Sequence, residues 1–195
     1  MTEMRINMEN NTIVYHSVQD VLDICDRLKL PFWKVIMKAD CDERQVSEEK
    51  SFETMRSMYR AMCQADKDYD KDLRSASTMA GGDGERMRKF NATGANLCSD
   101  FTALAMEKAL KMGESNACMK RIVAAPTAGS CGVIPAVFIS YQQCFNVNED
   151  RIIEAMFITA GLGMIIAENA SIAGASGGCQ AEIGSASAMA AAGLA

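Results

Sequence analysis

Histidine occurs once in this sequence, at His16, and none of the eight cysteines pairs with another as Cys-x-x-Cys. Zinc sites announce themselves by close-spaced Cys and His ligands, so no Cys/His tetrad is legible. Aromatic residues are few at 6%, and proline occurs three times. Also missing is period-two alternation bounded by turn residues, which removes a sheet-based architecture. No dense Lys/Arg run is present, and the net charge of −5 argues against general affinity for nucleic acid or an anionic membrane. The opening "MTEMRINMENNTIVYHSVQD" has no basic segment followed by an apolar one, so it does not read as a secretory signal. A cytoplasmic location with reduced thiols is the expectation. The most apolar stretch, Ala155 to Ala167, falls short of the roughly 18 residues that suggest a membrane span and reads as a buried helix.

What is present is helical periodicity, and the fold class it predicts is all-α. Ser17 with Asp20 resembles a capped helix start, followed by Val18, Leu22, Cys25 and Leu28 at helical spacing to about Lys29. After Pro31, the residues Phe32, Val35, Ile36 and Ala39 mark a second short helix. A capping signature at Ser47 opens the clearest amphipathic helix of this half, with Phe52, Met55, Met58, Tyr59 and Met62 on one face. These methionines suit core packing or a pliable groove. Gly81, Gly82 and Gly84 then predict a loop over 76–84, and the division falls there: an N-terminal helical region over 1–75 and a second helical unit over 76–195. Five helices are expected in the second unit, over about 97–112, 114–122, 131–144, 149–167 and from 180 onward, with Gly113 as a C-terminal cap and Asn148 as an N-cap.

Two stretches are unlike ordinary packing. In "AAPTAGSCGVIPAVF" a Gly-rich turn, Thr127-Ala128-Gly129-Ser130-Cys131-Gly132, opens a helix that carries Pro135 near its first turn. Backbone N–H groups at such a place suit a small anion such as a carboxylate; an ordinary helix start, capped by the hydroxyl of Thr127 or Ser130, explains the same residues. It is no phosphate loop, because the lysine of that motif is missing. In "ENASIAGASGGCQAEIGSASAMAAAGLA" the glycines 174, 177 and 178 lead to Cys179 where a helix is expected to begin. Thiols at helix N-termini ionise more readily than average and make better ligands or nucleophiles, although a lone cysteine also serves as a small buried hydrophobe. Glu182, one turn further, suits acid–base work or a purely structural place in a helix's first turn.

"GGDGERMRKF", "APTAGSCGVIPAV" and "ENASIAGASGGCQAEIGSASAMAAAGLA" together resemble the α subunit of the iron-sulfur-dependent L-serine dehydratases. The likeness covers most of the chain and is strongest from Gly81 onward. It implies a multi-helix catalytic domain, a 4Fe-4S cluster held by three cysteines, and elimination of water from L-serine to give pyruvate and ammonia, together with a β subunit. Cys179 matches the first cluster ligand. The other two belong to a later CDPVAG and Pro-Cys segment absent here, so the likeness implies a portion of an α subunit that does not assemble the cluster, or act, by itself.

The likeness assigns Thr127, Ala128, Gly129 and Ser130 to the substrate carboxylate. Asn169 and Ser171 fall to orienting hydrogen bonds, and no catalytic base is identified. His16 reads as a surface or interface residue. A homodimer is the expected assembly. Elimination from another small amino acid such as cysteine, and a self-associating helical fragment without catalysis, remain alternatives.

Overall fold

The computed structural model describes residues 12–195, and among these all regular structure is helical. The elements are α1 (Val18–Leu28), α2 (Phe32–Arg44), α3 (Glu48–Lys67), α4 (Asp83–Ala92), α5 (Asp100–Ala117), α6 (Val133–Phe145), α7 (Glu149–Asn169) and α8 (Gly174–Leu194). Local chemistry sets several of their starts. Ser17 accepts from the Asp20 N–H while Asp20 returns a bond to the Ser17 N–H, a complete capping box. Ser47 caps α3, Ser99 caps α5 and Asn148 caps α7, each through its side chain.

The main core draws on both sides of residue 75. Val21 and Ile24 of α1, Val35 and Ile36 of α2, Tyr59 and Met62 of α3, Ile134 and Phe138 of α6, Ile153 and Phe157 of α7, and Met189 of α8 form one buried cluster. Burial of each large side chain contributes about 1.5–3 kcal/mol. α7 lies at its centre. It is the one described helix long and apolar enough to cross a membrane, with a mean hydropathy of 1.5, and its Ile152, Ile153, Met156 and Phe157 are buried against neighbouring helices.

Small residues in α7 and α8 let the helices approach closely. A Cβ on Gly161 would stand 2.6 Å from Ile36 Cδ1, and one on Gly193 would stand 2.6 Å from Phe138 Cζ and 2.9 Å from the Ala155 carbonyl. Gly163 likewise faces the methyl end of Met189. These three glycines therefore belong to the packing itself.

The expected loop over 76–84 runs to Gly82, where α4, a helix not foreseen from the sequence, begins. Its sequence, DGERMRKFNA, offers almost no apolar face, and its N-cap, Gly82, has no side chain. The cap comes from α5 instead: the buried Glu114 carboxylate accepts from the Asp83 N–H at 2.5 Å, the Gly84 N–H at 3.2 Å and the Tyr69 hydroxyl at 2.6 Å. A carboxylate at a helix N-terminus satisfies orphan donors and complements the dipole. Close by, Lys108 of α5 pairs with Asp66 of α3 at 2.6 Å, with side chains only 6% and 11% exposed.

Glu114 and Ser115 are buried on the same helix, which explains a second difference. α5 runs through Gly113 to Ala117, so Gly113 is no cap and no separate helix forms over 114–122. α8 also begins earlier than expected, at Gly174, but breaks at Gly178, whose φ of 70° and ψ of −172° are not helical.

Candidate functional site

The turn before α6 is built on α5. Gly132 lies against the α5 backbone, where a Cβ would stand 3.0 Å from the Ala109 carbonyl, and Asn116 donates to the Ala128 carbonyl at 3.0 Å. Pro126 enters the turn through a cis peptide. Thr127 and Ser130 face one another across it, with hydroxyl oxygens 2.9 Å apart; the Ser130 N–H donates to Thr127 Oγ1 at 3.3 Å and the Thr127 N–H to Ser130 Oγ at 3.4 Å. The two hydroxyls brace the turn, and neither caps α6. Gly132 is the N-cap, without a side-chain bond.

Between these residues the backbone N–H groups of Ala128 and Gly129 have no acceptor among the described residues, and both residues are exposed. Adjacent unpartnered amides in a turn form a concavity suited to an anion. Cys131, directly beyond, points inward. It is 1% exposed, and burial pushes its thiol up to about 11, so it stays protonated at neutral pH.

The second half of α8 meets this turn. Glu182 reaches across 55 positions of sequence to accept from Thr127 Oγ1. Its carboxylate lies on two glycines: a Cβ on Gly129 would stand 2.5–2.6 Å from all three carboxylate atoms, and one on Gly174 would stand 2.7 Å from Oε2. Cys179 is exposed, directly after the break at Gly178 and three positions before Glu182. Residues three apart share a helix face, so Cys179 and Glu182 share one side of α8.

Asn169 and Ser171 are placed differently. The Asn169 amide donates to the His16 carbonyl at 3.1 Å and to the Ile165 carbonyl at 2.8 Å, tying the end of α7 to the start of the described chain. His16 meets Glu168 there at 2.9 Å. Ser171 accepts from the Ala173 N–H at 3.3 Å and bonds Ser176, holding the entry to α8. The structure brings Thr127, Ala128, Gly129 and Ser130 together with Glu182, and joins neither Asn169 nor Ser171 to them by a hydrogen bond.

A profile described as "Serine dehydratase alpha chain" matches residues 27–195. The chain belongs to this family. Among relatives of the serine dehydratase alpha chain, the "L-serine dehydratase, alpha chain" of Peptoniphilus asaccharolyticus is 32% identical over 92% of this chain and 62% of its own length. The "Probable L-serine dehydratase, alpha chain" of Bacillus subtilis (strain 168) is 31% identical over 93% and 60%. A shorter match, 49% identical over 87 residues, links 44% of the chain to 19% of "L-serine dehydratase TdcG" of Escherichia coli (strain K12). The chain spans about three fifths of the length of the alpha chains from Peptoniphilus and Bacillus.

A metal cluster needs several donors, and the described residues do not supply them. No group of three His, Cys, Asp or Glu side chains stands close enough together to hold a metal ion. Cys179 stands as a single exposed thiol.

Three features of the site escaped the sequence. The Glu182–Thr127 bond joins residues too far apart for spacing to suggest it, and the role of Gly129 and Gly174 as seats for one carboxylate depends on that bond. Asn116, which anchors Ala128, carried no motif signal at all.

Proposed function

We propose that this chain is the alpha-chain part of an L-serine dehydratase, a lyase of amino-acid breakdown that converts L-serine into pyruvate and ammonia. The observation that carries this reading is the convergence of family and geometry: within the family match, the Thr127–Ser130 turn and the Cys179 end of α8 meet at one place. The reaction breaks the Cα–H and Cβ–O bonds of serine, releases water, and leaves an aminoacrylate that hydrolyses to the keto acid and ammonia without net oxidation. In this reading the Ala128 and Gly129 amides receive the substrate carboxylate, while Thr127 and Ser130 keep the turn rigid enough to fix its orientation.

Cys179 is the one thiolate donor that these residues bring to the iron-sulfur cluster implied by the family likeness, the remaining donors coming from elsewhere in the assembly. Its place beside a glycine break leaves the thiol accessible to an incoming group. Asn169 and Ser171 act at one remove, by fixing the segment that leads into the Cys179 part of α8. The working assembly comprises this chain with a beta subunit, in homodimeric form, in the cytoplasm.

The test is pyruvate release from L-serine by an anaerobically prepared assembly of this chain with the rest of the family's alpha chain and a beta subunit. Pyruvate and ammonia in equal amounts support the reading. A preference for L-cysteine, with sulfide released, assigns the enzyme to the related elimination instead, and turnover of neither overturns the proposal.

A further inference from the structure

Three other carboxylates of the interior have a cation or several donors. Asp66 has Lys108 on Oδ2, while its Oδ1 accepts from nothing; Glu107 has Lys111, and Glu114 collects two amides and a phenol. Glu182 is not answered in this way. No Lys, Arg or His pairs with it among the described residues, and its one hydrogen bond, from Thr127, falls on Oε1. Oε2 accepts from nothing.

The carboxylate is nevertheless held in place. It lies between the backbones of Gly129 and Gly174, two glycines from different segments, at positions where any side chain would collide with it. The carboxylate is thus fixed between two backbones without a cation, and its Oε2 stays open to solvent, where an incoming positive group can reach it.

Directly beside it stand groups of opposite character. The Ala128 and Gly129 amides are donors without acceptors, and Gly129 touches the Glu182 carboxylate with its own backbone. Unused donors and an unused acceptor therefore adjoin at a single residue. An α-amino acid presents the complementary pair, a carboxylate and an ammonium on one carbon, and a simple hydroxy acid presents only the first.

We infer that Glu182 is the receptor for the α-ammonium group of the amino-acid substrate, with Oε2 as the accepting atom and Thr127 holding Oε1. This rests on the proposal that the Thr127–Ser130 turn receives the substrate carboxylate, and it assigns Glu182 to specificity. The charge discriminates amino acids from hydroxy acids, since an unpaired carboxylate repels a ligand that brings only negative charge.

The test is calorimetric titration of the 195-residue chain with L-serine and with 3-hydroxypropionate, which keeps the carboxylate and hydroxyl but lacks the ammonium. The wild-type chain is expected to prefer L-serine by about tenfold or more, the range of a charged hydrogen bond. Glu182→Gln, which keeps size and an acceptor for Thr127, should weaken L-serine by about tenfold while leaving 3-hydroxypropionate unchanged or tighter. Glu182→Asp, which keeps the charge, should retain part of the preference, and it carries the test if the Gln variant does not fold. Unchanged discrimination in both variants, with L-serine binding still lost in Gly129→Val, overturns the role of Glu182 and leaves the carboxylate seat standing. Binding of neither ligand to the wild-type chain overturns both.

Discussion

Replacing Gly129 by alanine tests the contact on which the site is built, because the outcome reverses sign with the residue at 182. Gly129 does not require a positive φ, so a methyl group there meets no backbone strain and should stabilise the fold by about 0.4–1 kcal/mol through the unfolded chain. In the native background that gain is overridden. The new Cβ would stand 2.5–2.6 Å from the Glu182 carboxylate, where ordinary contact begins near 3.4 Å, so the carboxylate must retreat by about 1 Å. Such a shift breaks the bond from Thr127, a charge-assisted contact of about 1.5–3 kcal/mol when buried and nearer 1 kcal/mol at this half-buried position. The net expectation is a loss of up to about 0.6 kcal/mol for Gly129→Ala alone. In a Glu182→Ala background the same change meets an empty space and becomes stabilising. Urea unfolding of the four proteins of this cycle measures the coupling, expected at about 1 kcal/mol. Equal effects of Gly129→Ala in both backgrounds would refute the reasoning.

Other expectations concern the scaffold and its titrations. Gly193→Ala drives a methyl group into Phe138 and the Ala155 carbonyl, and Gly161→Ala drives one into Ile36; each should cost about 1–3 kcal/mol in urea unfolding, with Gly193 the larger because a backbone atom cannot yield. Lys108→Met leaves the buried Asp66 without its cation and should destabilise by about 3–5 kcal/mol, largely recovered by adding Asp66→Leu. Iodoacetamide at mildly alkaline pH, followed by mass spectrometry, should label the exposed Cys98, Cys144 and Cys179 while sparing Cys131, whose buried thiol is pushed up to about 11. Tyr15 and Tyr69 are both pushed up to about 12, chiefly by burial, with nearby carboxylates adding to it. A pKa raised on folding favours the protonated phenol, so this stability is complete below pH 10 and is lost as pH rises towards 12. Tyrosinate absorbance should appear together with loss of helical circular dichroism, and ionisation of all four tyrosines near pH 10 without unfolding would contradict it.

Helix starts were legible wherever the cap is local. Ser17, Ser47 and Asn148 bond residues two or three positions ahead, and sequence reasoning reads such spacing directly. α4 was not legible because Glu114, some thirty positions away, caps it. Gly113 misled for a related reason. Glycine commonly ends helices, but here the burial of Glu114 and Ser115 carries α5 past it. At the site, the turn and the break before Cys179 were visible as clusters of glycine. Their meeting through Glu182 depends on how α8 lies on α6 and α7, which is tertiary packing and leaves no periodic trace in the chain.

The proposed cluster chemistry rests most directly on Cys179. Iron, sulfide and pyruvate formation should be measured in parallel for the anaerobically prepared assembly carrying Cys179→Ala or Cys131→Ala. Loss of both cluster and turnover with Cys179→Ala, and retention of both with Cys131→Ala, is the expected result. A Cys179→Ala assembly with full iron, sulfide and pyruvate formation would contradict it.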